Sequence, residues 1–209
     1  MKKRFDAISV GYTALDYLGI VPHFPSENLK LEMKRFVIQG GGPAATAAVT
    51  MKRLGLSVAL VAKFGTDLFG RRMLDELKAE GVDTSAVIEE PQAESQFAFI
   101  MVDEQTADRT ILWTRGSLTG LAPDDIDPGM ISASRGLLVD SLEPAAAGAA
   151  ARAAHERNIP VVIDAGTLRE GIAEVLPFCD YIVASEVFAD QIADGNGVDA
   201  ALDAMLSHG

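Results

Sequence analysis

The sequence predicts an α/β protein, a mostly parallel sheet buried on both faces with a small antiparallel β lid attached. Three observations carry this. Short apolar runs such as SVALVA, GLLV and PVVI stop at a polar residue or glycine and alternate with helical stretches, the pattern of βαβ units. The stretch VIQGGGPAATAAVTMKRLG, residues 37–55, reads as strand end, glycine turn and helix start. Two segments, about 12–40 and 93–117, alternate apolar and polar residues with no helix between their strands.

Taken in order, Ala7 to Val10 is a buried strand ending at Gly11. Asp16 to Gln39 carries PHFP and then LEMKRFVI, an extended excursion that returns at Phe36 to Ile38. Pro43 suits a first helical residue because its missing N–H costs nothing there. Ala44 to Leu54 is then a helix of small residues closed by Gly55. Ser57 to Ala62 is a strand, and Asp67 to Glu80 a helix stopped by Gly81. QFAFIMV and RTILW form a hairpin around DEQTAD. Gly136 to Val139, Pro160 to Ile163 and Tyr181 to Ala184 are further strands. Pro144 to Arg157 and a stretch near Glu186 to Ile192 are helices.

Composition narrows the function classes. The 209 residues are 48% hydrophobic and 23% charged, ordinary for one globular domain or slightly more. A formal charge of −12 opposes nonspecific binding to nucleic acid or anionic membranes. Cys179 is the only cysteine, so no intrachain disulfide forms. MKKRFDAISVGY has a basic start, but Asp6 interrupts any signal-peptide apolar run. No apolar stretch approaches the roughly 20 residues that span a bilayer. The expectation is a cytoplasmic protein.

Several motifs compete. Gly40, Gly42 and Ala45 fit G-x-G-x-x-A with Asp67 about 20 residues on, the dinucleotide fingerprint. An earlier strand already ends at Gly11, which displaces that fingerprint from its usual first strand. One cysteine and three scattered histidines (His23, His155, His208) make no zinc cluster. More informative is what lies at strand ends: Asp16 past the first strand, Gly40 to Gly42, Asp140 closing GLLVD and Asp164 closing VVID. Ligands of open α/β sheets bind at carboxyl ends of strands. Carboxylates beside glycine N–H groups suit a ligand rich in hydroxyls. The alternative for any one Asp is a helix cap or turn residue.

The sequence resembles the ribokinase-like (PfkB) family of sugar and nucleoside kinases along essentially its whole length. The resemblance rests on Gly11 to Asp16 as G-x-x-x-x-D and on GGGPAATAAVTMKRLG followed by KFGTDLFGRRMLDELKAEGVDTS. VVIDAGTLRE and DYIVASEVFA extend it. The GGGPAATAA form is similar to the ketohexose and sulfofructose kinase branch. The resemblance implies a three-layer α/β/α fold with a β lid that closes over the sugar. It implies ATP with Mg²⁺ as donor and transfer of the γ-phosphoryl to a primary hydroxyl. Apolar residues of the insertions such as Phe97, Phe99, Ile111 and Trp113 need a second covered face, which predicts a homodimer through the lid. The resemblance places Asp16, Gly41, Gly42 and Asp140 at the substrate. Asp164, Arg169, Ser185 and Glu186 fall on the nucleotide and phosphate side.

Three departures accompany it. Ala45 stands where the family usually has Asn. Ser185 and Phe188 replace the Asn and Glu of N-x-x-E, leaving the position of magnesium open. No D-T-x-G-A-G-D motif occurs up to the last residue, Gly209. No catalytic base is therefore assigned to any residue here, and the base is expected beyond Gly209. The expectation is an N-terminal portion of a kinase of roughly 300 residues, lacking the C-terminal nucleotide-binding part and inactive alone. The competing readings are a non-catalytic sugar-binding module and a dinucleotide-dependent oxidoreductase.

Overall fold

The computed structural model describes residues 3–207, so His208 and Gly209 lie outside the described residues. Its strands are β1 (Ala7–Val10), β2 (Ala14–Val21), β3 (Arg35–Gly41), β4 (Val58–Gly65), β5 (Asp83–Glu90), β6 (Phe97–Asp103), β7 (Arg109–Thr114), β8 (Leu137–Asp140), β9 (Val161–Ala165) and β10 (Tyr181–Ala184). Its helices are α1 (Pro43–Arg53), α2 (Leu68–Ala79), α3 (Pro128–Ser132), α4 (Pro144–His155), α5 (Glu186–Ile192) and α6 (Val198–Leu206).

Six strands form a parallel sheet in the order β10-β9-β8-β1-β4-β5. Alternation along its strands makes two cores. In β4, Ala59 and Val61 face one core with Ile8, Val10 and the alanines of α4. Leu60, Ala62 and Phe64 face the other, against α1 and α2. The sheet therefore lies between two helical layers, the predicted α/β/α arrangement. Alanine sets the spacing on both sides. Ala44 and Ala48 of α1, and Ala146, Ala147, Ala150, Ala151 and Ala154 of α4, are almost wholly buried.

The second sheet has the order β3-β2-β6-β7. It is mixed, where the sequence suggests an antiparallel one. The outer pairs β2–β3 and β6–β7 are antiparallel hairpins, but the central pair β2–β6 is parallel. Both β2 and β6 run outward from the body, immediately after β1 and β5, so they share a direction when they meet side by side. The edge strand β5, DTSAVIEE, is absent from the sequence-based expectation. Its half-buried, acid-rich pattern lacks the apolar run that marks the other strands. The helix α6 is likewise an addition.

Candidate functional site

The site is built where the lid meets the body. Asp16 is the third residue of β2, inside the lid rather than on the loop after β1. Cross-strand partners share a face of a sheet. Asp16 pairs with Gln39 on one side and Ala98 on the other, and Ala98 pairs with Trp113. Gln39, Asp16, Ala98 and Trp113 thus form one row across the lid. With strands about 4.8 Å apart, Asp16 and Trp113 stand roughly 10 Å from each other across the small Ala98.

The glycine turn explains itself residue by residue. The Gly40 N–H donates to Glu76 Oε2 at 2.6 Å, which ties the turn to α2. At Gly41 a Cβ would lie 2.0 Å from Asp16 Oδ2, so only glycine leaves room for that carboxylate. Gly42 has φ +88° and a Cβ there would lie 2.6 Å from Thr13 Cα. It is the N-cap of α1 and offers no side-chain cap. In the first turn of α1, Pro43 has no N–H, the Ala44 N–H acts on the Asp140 carboxylate and the Thr46 N–H closes on the Gly42 carbonyl, which leaves the Ala45 N–H without a cap.

Asp16 and Gly41 line a cleft of about 400 Å³ between α1 and α2, together with Thr13, Gln39, Ala45 and Thr46. Partial burial alone raises the Asp16 carboxyl to about 6, with no hydrogen bond acting against it. Ala45 contributes only a methyl wall. On the other side of Pro43, Gly42 and Asp164 line an open recess of about 530 Å³ with Thr46, Ala47, Thr50 and Met51. Burial likewise raises Asp164, again with no donor opposing it. Two carboxylates without protein donors thus flank one glycine–proline turn.

The other predicted residues divide. Asp140 is wholly buried and does not line the cleft. Its Oδ2 accepts from the Tyr12 N–H at 2.7 Å and its Oδ1 from the Leu142 N–H at 2.9 Å. Burial pushes it up to about 7. In this structure it braces the loops after β1 and β8 instead of facing a ligand, because the backbone of Gly11, Tyr12 and Leu142 closes around it. Ser185 caps α5, accepting from the Phe188 N–H at 3.1 Å and donating to the Gly166 carbonyl at 2.7 Å. Phe188 is wholly buried in the core, which leaves no room for a polar side chain there. Glu186 lies exposed in the first turn of α5. Arg169 lies with its Cζ 5.7 Å from the Trp113 ring centroid, and its Nε is buried without a partner. The base that the resemblance places beyond Gly209 falls outside the described residues, as does Gly209 itself.

Asp67 has protein partners for both oxygens. Oδ1 accepts from Gly70 N–H and Ser95 Oγ, and Oδ2 from Ser95 N–H, which holds its carboxyl below the usual range. It locks the start of α2 to the lid entrance. The glycine turn itself follows lid strand β3, not a strand of the parallel sheet.

Sequence reasoning missed Tyr12, Arg115 and Glu143. Arg115 donates to Glu143 Oε1 and to the Leu142 carbonyl, both at 2.5 Å, and lies over the Tyr12 ring. The Tyr12 ring meets Trp113 edge-on at 5.8 Å. Contacts between residues 27 or 28 apart, as for Arg115, or about 100 apart, as for Tyr12, leave no local pattern. Gln39 was within reach, since it alternates with Gly41 on β3. No group of three or more His, Cys, Asp or Glu among the described residues could hold a metal ion. No helix among them is long and apolar enough to cross a membrane.

The profile of the family described as "pfkB family carbohydrate kinase" matches residues 4–208. A nucleoside kinase of Methanothermobacter thermautotrophicus is 34% identical over 103 residues, 49% of this chain and 33% of that protein. A ribokinase of Haemophilus influenzae is 28% identical over 196 residues, 92% of this chain and 62% of that protein. The chain thus spans about one third to three fifths of these curated relatives. Among solved structures, ribokinase from Thermotoga maritima superposes with a TM-score of 0.77 at 22% identity, covering 98% of this chain and 69% of that one. Arabidopsis thaliana ribokinase, complexed with ribose and ATP, gives 0.76 at 16% identity, with 100% and 69% covered. These two likenesses establish the fold.

Proposed function

The chain belongs to the pfkB family of carbohydrate kinases, and on that premise we propose that it binds a sugar or nucleoside for ATP-dependent phosphorylation of a primary hydroxyl. The observation that carries the reading is Asp16, a half-buried carboxylate without a protein donor, set over Gly41 at the wall of a cleft. A buried acceptor with nothing to accept is costly until a ligand supplies donors. Sugar hydroxyls supply them, and Gly41 and Gly42 bring backbone close to the same ligand. The row from Asp16 to Trp113 forms the roof, which excludes water around the acceptor and protects the donor from hydrolysis.

The donor side of the proposal is ATP, on the Asp164, Arg169 and Glu186 side of the turn. Asp164 lies near the end of β9 and Glu186 just past the adjacent β10, and they fit an ion held mainly by phosphate oxygens and water. Magnesium, when bound with ATP, would neutralise charge on the transferring phosphoryl. Transfer also needs a base at the attacking hydroxyl and donors around the phosphoryl. No residue up to Gly209 is assigned to either, so the 209 residues furnish the acceptor site and do not turn over alone. Asp140 serves that site indirectly by holding the Tyr12 loop. A homodimer through the lid and a cytoplasmic location complete the proposal. Leu112 of β7 and Phe36 of β3, on the lid face opposite to Trp113, are 60% and 45% exposed, an apolar surface suited to a second lid.

The test is calorimetry with a panel of sugars and nucleosides, followed by an ATP-consumption assay. Saturable binding lost in Asp16→Asn is expected, with no ADP release. Sugar-dependent ADP release by the 209 residues alone would place the base inside this sequence and overturn that part. Absence of binding by every sugar and nucleoside would overturn the acceptor assignment.

A further inference from the structure

The cleft that holds Asp16 extends well beyond its Asp16 end. From Asp16 and Gly41 it follows the groove between α1 and α2 as far as Arg53 and Glu80. Arg53 Nε donates to Glu80 Oε2 at 2.8 Å, so an ion pair bridges the ends of the two helices and closes the groove. Between Ala45 and Arg53 the groove runs about 12 Å, at about 1.5 Å of helix per residue. Its volume of about 400 Å³ falls within the roughly 300–1,000 Å³ of sites that enclose a whole drug-sized ligand.

The chemistry changes along that length. Asp16 and Gln39, cross-strand partners on one face of the lid, make the first end polar. Val49, Met73 and Leu77 line the middle, and none of them carries a hydrogen-bonding nitrogen or oxygen in its side chain. A sugar hydroxyl laid there would give up water for no partner, which is unfavourable. A flat heterocycle instead sets its apolar faces against these side chains and keeps its polar atoms at its edge. That edge meets Thr46 and Thr50 on the rim. Thr50 Oγ1 donates to the Thr46 carbonyl at 2.7 Å, and its lone pairs stay free to accept from a ring N–H or an exocyclic amine. The same two threonines line the Asp164 recess, so they form the ridge between groove and recess. In a furanose the anomeric carbon and the C5 hydroxyl lie on opposite flanks of the ring, with the 2,3-diol at its far edge. A diol held by Asp16, with the C5 hydroxyl turned to the recess, leaves the anomeric substituent directed along the groove.

We propose that the α1–α2 groove is a subsite for a planar nitrogen heterocycle carried on the anomeric carbon of the acceptor, which makes the acceptor a nucleoside in preference to a free sugar. The inference rests on the kinase reading for the sugar end of the cleft and adds the far end to it.

The 209-residue protein is titrated calorimetrically with ribose, methyl riboside, adenosine and uridine. At least one nucleoside is expected to bind about tenfold or more tighter than ribose and methyl riboside, the gain from burying a ring face on apolar side chains. Val49→Phe fills the groove and should abolish that gain. Val49 is half-buried against the core, so Thr50→Phe, at an exposed position on the rim, keeps the test available if Val49→Phe does not fold. Ribose and methyl riboside that bind as tightly as both nucleosides overturn the proposal. So does a nucleoside preference that survives the folded groove variants, which would place the heterocycle elsewhere. In both cases Asp16-dependent binding of the sugars leaves the kinase reading standing. No binding by any of the four compounds overturns the acceptor assignment itself, and the subsite with it.

Discussion

Replacing Asp16 by Asn should make the ligand-free protein more stable and less able to bind. Burial raises this carboxyl from 3.8 to about 6, and no donor offsets the cost of its charge. An acid whose folded value lies above its unfolded value favours folding when protonated. Its contribution is therefore fully present below about pH 3.8 and is lost as pH rises through about 6. At 1.36 kcal/mol per pH unit the gap corresponds to about 3 kcal/mol at neutral pH. Asp16 is only half-buried and water screens part of this, so about 1–1.5 kcal/mol is the working figure. Asn removes the charge and keeps the shape. Urea unfolding of parent and variant from pH 4 to pH 8 should show curves that coincide at the acid end. They should separate above pH 5, with Asn ahead by about 1 kcal/mol, or about 2–4 °C in Tm. Sugar affinity should fall by about 1.5–3 kcal/mol in the same variant, the range for hydrogen bonds to a charged acceptor. Equal stability differences at every pH, or a variant less stable at pH 8, would refute the claim that Asp16 is an uncompensated charge awaiting a ligand.

Other outcomes follow from the same geometry. Gly41→Ala forces a methyl to within 2.0 Å of Asp16 Oδ2, so the carboxylate must swing away. Calorimetry should show sugar binding weakened about tenfold or more, while circular dichroism shows the fold intact. Asp140→Ala strands the buried Tyr12 N–H and the part-buried Leu142 N–H and should cost roughly 2–4 kcal/mol in urea unfolding; a cost under about 0.5 kcal/mol would show that it is no brace. The lid surface predicts self-association, and Leu112→Glu, on the more exposed face of β7, should shift sedimentation toward the monomer. A monomeric parent at micromolar concentration would count against the lid dimer.

Local pattern suffices for five of the six strands of the body, all but the edge strand β5. Strands such as Val58–Gly65 and Val161–Ala165 are largely buried on both faces, and burial of that kind leaves a continuous apolar run that is visible in the chain. Helix starts and stops are equally legible, because Pro43 at the head of α1 and Gly55 and Gly81 beyond α1 and α2 act through their own backbone. Asp16 and the glycine turn are legible as chemistry, since a carboxylate among apolar residues and three adjacent glycines are both costly without a purpose. Which carboxylates reach a ligand is a different matter, and it depends on the folded arrangement. Asp16 and Asp140 both stand at strand positions that read alike, yet one lines a cleft without a donor and the other is closed off by Tyr12 and Leu142. The parallel register of β2 and β6, which sets Asp16, Ala98 and Trp113 in one row, is of the same kind. So is the approach of Arg169 to Trp113 and of Arg115 to Glu143. Solvation and pairing of a polar side chain depend on chain segments far apart in sequence, whereas period and capping depend only on neighbours.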